Sequence, residues 1–263
     1  MISSGSNAKI KELVKLQKSS KERKKSGLFV AEGEKLIREA AHHGRLQTVY
    51  VSETVYEKAV WEQKAFLEGL SYEVVADSVF HDIADTVTPQ GFLGVVEQPE
   101  YSLEQIIQNK RILLLDDLRD PGNMGTILRT AEGAGMSGVI LSRGSVDMFN
   151  PKVVRATMGA IFRMPFCYVE DLAETIGYIK DREIPVYGTT MEGSLRYDEI
   201  DYGAGAGIVV GNEAKGISEN VLKQLSGCVR IPMAGKLESL NAAVSAAIMM
   251  YEMARQRRFD TKS

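Results

Sequence analysis

Only two cysteines occur among the 263 residues, Cys167 and Cys228, each inside an apolar strand-like run with no Cys or His at metal-ligand spacing. They read as buried free thiols, not as a zinc centre or a disulfide framework. Histidine is almost as scarce: His42, His43 and His81 all lie outside the polar clusters described below, which speaks against a His-based triad and a catalytic zinc site. No uninterrupted apolar run approaches the roughly 18 residues of a spanning helix, and the N-terminus is polar and unlike a signal peptide, so the expected location is the cytoplasm, with no membrane partner. A Walker-type Gly-Lys-Ser/Thr loop is missing. The run Gly203-Ala204-Gly205-Ala206-Gly207 precedes a strand where a dinucleotide fingerprint would follow one, so it reads as a turn. Neither internal repeats nor low-complexity segments occur.

What is present is enough apolar sequence, 44% of residues, for one large core or two modest ones, and the length favours two domains. The net charge of −3 conceals an asymmetry. Residues 1–27 carry eight basic side chains against Glu12 and Glu22, leaving +6 there and −9 over the rest. A basic arm on an acidic body suits contact with a phosphate backbone, with Lys21, Arg23, Lys24 and Lys25 as the candidate contacts; a solvated helix face is the plainer alternative.

Two α/β patterns follow one another. In the first, strands are expected at Leu28–Gly33, ending at that glycine, and at Val49–Val51, Tyr72–Val75 and Phe92–Val96, with helices through Leu36–Ala41 and around Tyr56–Leu70. Pro99 and Glu100 begin the best linker, which places one domain over residues 1–98 and a second over 110–263. The second pattern restarts with Arg111-Ile112-Leu113-Leu114-Leu115-Asp116, a run typical of a strand buried on both faces of a parallel sheet. Similar runs at 139–141, 184–188, 207–211 and 228–231 alternate with helical patterns at 124–133, 153–160, 172–179 and 218–225. Such alternation indicates a parallel, doubly wound sheet. A last helix, rich in small residues, is expected from Ser239 to about Arg257.

In open parallel sheets, ligands bind beyond the carboxyl ends of the strands, where helix N-termini and loop amides converge. Three polar clusters hold that kind of position: Asp116–Ala131, Gly211–Ser218 and Ile231–Asn241. Each has an ordinary explanation. Asn123 and Ser239 are placed as helix N-caps, Arg129 could form a surface ion pair, and Gly211 and Gly216 could supply only backbone freedom. Together, three strand-end loops rich in Asn, Arg, Glu and Ser are expected to meet at one crevice.

In order and wording the three clusters resemble the signature motifs of the SpoU/TrmH family of RNA ribose 2′-O-methyltransferases, within the SPOUT superfamily. The resemblance spans about residues 111–257, with Asn123, Arg129, Asn212, Glu213, Ser239 and Asn241 all at motif positions. Phe29-Val30-Ala31-Glu32-Gly33 and Pro89-Gln90-Gly91 resemble the ribosomal-protein-like substrate-binding domain often fused in front of it. The resemblance implies an α/β fold whose C-terminal parallel-sheet domain carries a deep trefoil knot, preceded by a smaller α/β RNA-binding domain. It also implies a homodimer acting on ribosomal or transfer RNA, with S-adenosylmethionine as cofactor and no metal.

Carried over to this chain, Arg129, Asn123, Glu213, Ser239 and Asn241 form the catalytic set. Gly211, Ile231 and Leu240, with Thr189, Gly188 and Met233 as lesser candidates, contact the cofactor. The family proposal makes the arginine a general base, which fits poorly with a guanidinium pKa above about 12. Gripping the adjacent phosphate and stabilising the forming alkoxide is chemically easier. Glu213 could accept from Arg129 or orient Asn123. A non-catalytic knotted RNA-binding or ribosome-assembly factor is the alternative function, and base-nitrogen methylation a third reading.

Overall fold

The computed structural model describes residues 1–193 and 195–257. The chain forms two compact units, and the division is not a single cut: residues 1–99 and 147–162 form the first, 100–146 and 163–257 the second. The helical pattern expected at 153–160 thus belongs with the N-terminal unit, an outcome that no local sequence signal encodes.

The basic arm is helical. Helix α1 (Ala8–Lys18) starts where Asn7 Oδ1 accepts the Lys9 N–H at 2.9 Å, and α2 (Ser20–Ser26) ends on Gly27 in the left-handed region at φ 67°. Ile10, Leu13 and Leu16 recur at helical spacing and are buried, while the lysines point outward. Next come β1 (Leu28–Glu32), α3 (Glu34–His42), β2 (Leu46–Ser52), α4 (Glu53–Lys58), α5 (Trp61–Glu68), β3 (Tyr72–Val75), α6 (Asp77–Ile83) and β4 (Phe92–Glu97). The one helix expected over Tyr56–Leu70 is therefore two. The strands run in the order β1-β4-β2-β3, with β4 antiparallel to both neighbours and β3 parallel to β2. One face packs Val30, Tyr50, Leu93 and Val95 with Ile10, Leu13 and Leu16; the other packs Val49, Val51 and Phe92 with Ile37 and Leu67.

The second unit opens with α7 (Leu103–Ile107), β5 (Arg111–Leu115), α8 (Pro121–Gly133) and β6 (Gly138–Ser142). Helix α9 (Pro151–Ala156) and a 3₁₀ turn at Ala160–Phe162 belong to the first unit, where Phe149 and Phe162 lie 5.0 and 6.2 Å from the Phe29 ring. The remaining elements are β7 (Phe166–Val169), α10 (Leu172–Lys180), β8 (Val186–Thr189), β9 (Leu195–Arg196), β10 (Ala206–Val210), α11 (Glu219–Leu222), β11 (Gly227–Arg230) and α12 (Ala242–Gln256).

Seven strands form one sheet in the order β7-β6-β5-β10-β8-β11-β9, and every neighbouring pair is parallel. Ile112, Leu114, Ile140, Val186 and Val209 pack against Ile106, Ile176 and Ile179, while α8 and α12 pack on each other. Cys167 and Cys228 are free thiols, half-buried. Burial, with a smaller push from Glu104, raises the Cys167 thiol to about 11.

Candidate active site

Parallel pairing sends every strand of the second sheet toward the same edge. The last paired residues are Leu115 with Val210 for β5 and β10, Val209 with Gly188 for β10 and β8, and Thr189 with Val229 for β8 and β11. The loops after β5, β10, β8 and β11 therefore leave from four adjacent strands at their carboxyl ends. Those loops carry the three polar clusters, as expected.

Hydrogen bonds join all three. The Glu213 carboxylate, after β10, accepts from the Asp120 N–H at 3.0 Å, the Arg119 N–H at 3.3 Å and the Asn123 Nδ2 at 3.1 Å. Asn123 Oδ1 in turn accepts from Asn241 Nδ2 at 3.0 Å, which brings in the loop after β11. Asn212 fastens the same loops: its Nδ2 donates to the Asp117 carbonyl at 2.8 Å, and its Oδ1 accepts the N–H groups of Ala214 and Lys215. Buried Asp116 accepts the Ser218 N–H at 2.8 Å. Partial desolvation pushes the Glu213 carboxyl upward, but bonds from its own amide, Asn123, Asp120 and Arg119 outweigh it and hold the group below its ordinary value. Glu213 is thus a carboxylate whose function in this network is to orient an amide, which resolves its two expected partners in favour of Asn123.

Two expected caps move. Asp120, not Asn123, caps α8, its Oδ1 accepting the Asn123 N–H at 2.7 Å with Pro121 in the first turn. An Asp before a first-turn Pro is a start signal that sequence reading could have used. Asn241, not Ser239, caps α12, accepting from Ala243 and Val244, so that helix begins three residues later than expected. Ser239 is exposed and takes no part in the network. Asn123 and Asn241 thereby have their side-chain amides directed at each other across two helix entrances. Arg129 is exposed on α8 and forms no ion pair or hydrogen bond with the described residues.

The candidate cofactor contacts lie at the ends of β8, β10 and β11. Gly188 and Gly211 are buried, and their lack of Cβ is a packing requirement: a Cβ on Gly211 would sit 2.2 Å from the Gly216 carbonyl carbon, and one on Gly188 would sit 2.4 Å from Leu225. Thr189 Oγ1 donates to the Val209 carbonyl at 3.0 Å. Ile231, Met233 and Leu240 are half-buried, and among the described residues their main-chain groups take no part in the backbone bonds between elements. Unspent N–H and C=O groups beside aliphatic side chains suit a nucleoside with an adenine edge to bind and a ring to cover. These residues fit S-adenosylmethionine.

The four arm residues divide. Lys21, Lys24 and Lys25 are exposed, but Arg23 is buried. Its Nη2 lies 2.6 Å from Asp147 and its Nη1 donates to the carbonyls of Leu16 and Gln17, so it is a structural tie and not an RNA contact. Among the described residues, no helix is long and apolar enough to cross a membrane, and no group of three His, Cys, Asp or Glu could hold a metal ion.

Residues 110–251 match the SpoU rRNA Methylase family, and residues 7–94 match the MRM3-like substrate binding domain. The chain is 33% identical to the 23S rRNA (guanosine(2553)-2′-O)-methyltransferase RlmP of Bacillus subtilis, over 96% of this chain and 98% of that one. Among solved structures it is similar to the SpoU methyltransferase AviRb from Streptomyces viridochromogenes in complex with AdoMet, with a TM-score of 0.84, 28% identity and coverage of 95% and 99%. The AdoMet-bound rRNA methyltransferase from Sinorhizobium meliloti gives a TM-score of 0.83 at 32% identity, covering 97% of both chains.

Proposed function

The chain belongs to the SpoU rRNA Methylase family, and on that premise we propose that it moves a methyl group from S-adenosylmethionine to a ribose 2′-hydroxyl of ribosomal RNA. The carrying observation is the Glu213–Asn123–Asn241 chain, which ties the three motif loops together at one sheet edge. Bound S-adenosylmethionine supplies an electrophilic methyl on a sulfonium. The protein's task is to set the ribose oxygen in line with it and to take up the charge that develops as the hydroxyl proton leaves.

Main-chain groups of Gly211, Ile231 and Leu240 bind the cofactor. Arg129, which has no partner among the described residues, holds the phosphate beside the target ribose and stabilises the forming alkoxide. Asn123, fixed on both sides by Glu213 and Asn241, positions the sugar. In the N-terminal unit, Lys21, Lys24 and Lys25 add phosphate contacts.

The active species is a cytoplasmic homodimer, a reading supported by Val244 and Tyr251, which lie seven residues apart on α12 at 47% and 49% exposure. Val244→Glu with Tyr251→Glu should halve the mass seen by light scattering. The deep trefoil knot is supported by the family match over residues 110–251 and by the strand order β5-β10-β8-β11, in which the chain after β8 returns to lie between β5 and β8. Single-molecule stretching should give a contour shorter than about 3.5 Å per residue allows.

Labelled methyl transfer to ribosomal RNA from cells lacking this gene tests the activity, with nuclease digestion placing the methyl on sugar or base. No transfer to any hypomodified RNA, with no heat on titration with S-adenosylmethionine, would leave the non-catalytic RNA-binding factor standing.

A further inference from the structure

Asp117, two residues beyond β5, has φ 56°, a left-handed backbone that Asp tolerates better than most residues but still adopts only under constraint. Three strand-end loops supply that constraint. The Asp117 N–H donates at 2.8 Å to Oγ of Ser142, the last residue of β6, and its carbonyl accepts Asn212 Nδ2 at 2.8 Å after β10. A Cβ on Gly144 would lie 2.4 Å from Asp117 Oδ1, so the carboxylate occupies space that only glycine leaves open. The product of this arrangement is the placement of one side chain: Asp117 Oδ1 accepts Arg119 Nε at 3.1 Å.

Arg119 is held at both ends. Its backbone N–H donates to the Glu213 carboxylate, inside the network that orients Asn123, and its guanidinium is tied to Asp117 through Nε alone. The side chain is 67% exposed, and its two Nη groups make no bond with the described residues. The fork that matches two phosphate oxygens is therefore open, with part of its rotamer freedom already lost. An ordinary surface ion pair would need neither the strained backbone nor the glycine that accommodates it.

From this geometry we propose that Arg119 is a second phosphate clamp of the crevice, gripping the RNA backbone near the target ribose, and that Asp117 is the positioning residue that aims it. The proposal rests on reading the crevice as the site of RNA methyl transfer. The ligand class is a phosphodiester of structured RNA; the contact carries no base information and acts on register and affinity.

The test is steady-state methyl transfer with hypomodified ribosomal RNA at a series of salt concentrations. Arg119→Ala should raise KM for RNA about tenfold near 0.1 M salt and reduce the dependence of log(kcat/KM) on log salt by about 0.7–0.9, the share of one phosphate contact. Its affinity for S-adenosylmethionine by calorimetry should stay that of the wild type. Arg119→Lys should recover the salt dependence while leaving KM raised, because a point charge cannot reproduce the fork. Asp117→Asn, which tolerates the left-handed backbone, should raise KM roughly two- to threefold and add nothing in the Arg119→Ala background. Arg182→Ala, which removes an exposed guanidinium stacked 3.4 Å over Tyr178, serves as the control and should alter neither quantity.

An unchanged KM and salt dependence in Arg119→Ala overturns the clamp, and full additivity of Asp117→Asn with Arg119→Ala overturns the positioning. The two readings fail separately. If the wild type binds S-adenosylmethionine and Arg129→Ala is inactive while Arg119→Ala is indistinguishable from wild type, only this inference falls. If Arg129→Ala is fully active, the reading of the crevice falls with it.

Discussion

Arg23 and Arg129 are the same residue type in helices of similar outward character, yet the two units treat them in opposite ways. In the N-terminal unit Arg23 is buried, paired to Asp147 and bonded to two carbonyls. In the C-terminal unit Arg129 is exposed, with no partner among the described residues, on the helix that opens from the β5 loop. A guanidinium with every nitrogen engaged is part of the fold, and one left open on a helix surface is available to a ligand. Charge in a sequence does not separate the two. The local hydrogen-bond count does.

The sharpest way to break this contrast is Arg129→Ala. Methyl transfer should fall about 10²- to 10³-fold, the usual cost of removing one donor aimed at developing charge. Thermal stability should stay within a degree or two, since nothing in the fold leans on that side chain. A variant keeping half of the wild-type rate would reduce Arg129 to an ordinary surface cation. The mirror experiment is Arg23→Ala. Removing one partner of a buried pair strands the other, so urea unfolding should show a loss of about 3–5 kcal/mol. The salt dependence of RNA binding should not move. A flatter salt dependence in a stably folded Arg23→Ala protein would return the residue to the phosphate-contact class.

The parts that sequence reading recovered are those whose physics is local. Ile112 to Leu115 reads as a strand buried on both faces because every residue in it is apolar, and the sheet indeed buries it on both sides. The meeting of the three loops was legible because parallel topology obliges the loops after β5, β10 and β11 to share an edge. Caps were harder. Ser239 and Asn241 are both competent caps two residues apart, and only the observed backbone decides for Asn241. Helix α1 was hidden by its lysines, although Ile10, Leu13 and Leu16 carry the three-residue period of a core face. The segment 147–162 was beyond reach altogether. Its attachment depends on Phe29 meeting Phe149 and Phe162, and on Arg155 meeting Asp85, pairs separated by 70 residues or more.

Glu213→Gln sharpens the comparison inside the C-terminal unit. The substitution keeps shape but removes the charge that four donors address, so Asn123 should be held less firmly and methyl transfer should fall on the order of tenfold, about one charge-assisted hydrogen bond. Because folding holds this carboxyl below its ordinary value, its contribution is complete above the unfolded-state value and is lost as pH falls through the folded one. The wild-type network should therefore persist through mild acidification, with Glu213→Gln lacking the acid limb that the wild type shows. An acid limb unaltered by the substitution would assign it to another carboxylate.

The smallest effect is expected from Lys21, Lys24 and Lys25, which are exposed and not tied down as Arg23 is. Replacing all three with Gln should weaken RNA binding only about threefold at physiological salt, because exposed flexible cations give modest free energies. The diagnostic is therefore the salt dependence and not the affinity at one condition. Each lysine that neutralises a phosphate steepens log K against log salt by about 0.7–0.9, so loss of three contacts should flatten it by about 2. Arg23→Ala measured on the same RNA supplies the baseline, since it removes one charge from the same helix without removing an open donor. If both variants flatten the dependence in proportion to charge removed, the arm acts as a diffuse field and burial of Arg23 is irrelevant to binding. If only the lysine variant does, hydrogen-bond occupancy is what separates a cation that builds the fold from one that meets RNA.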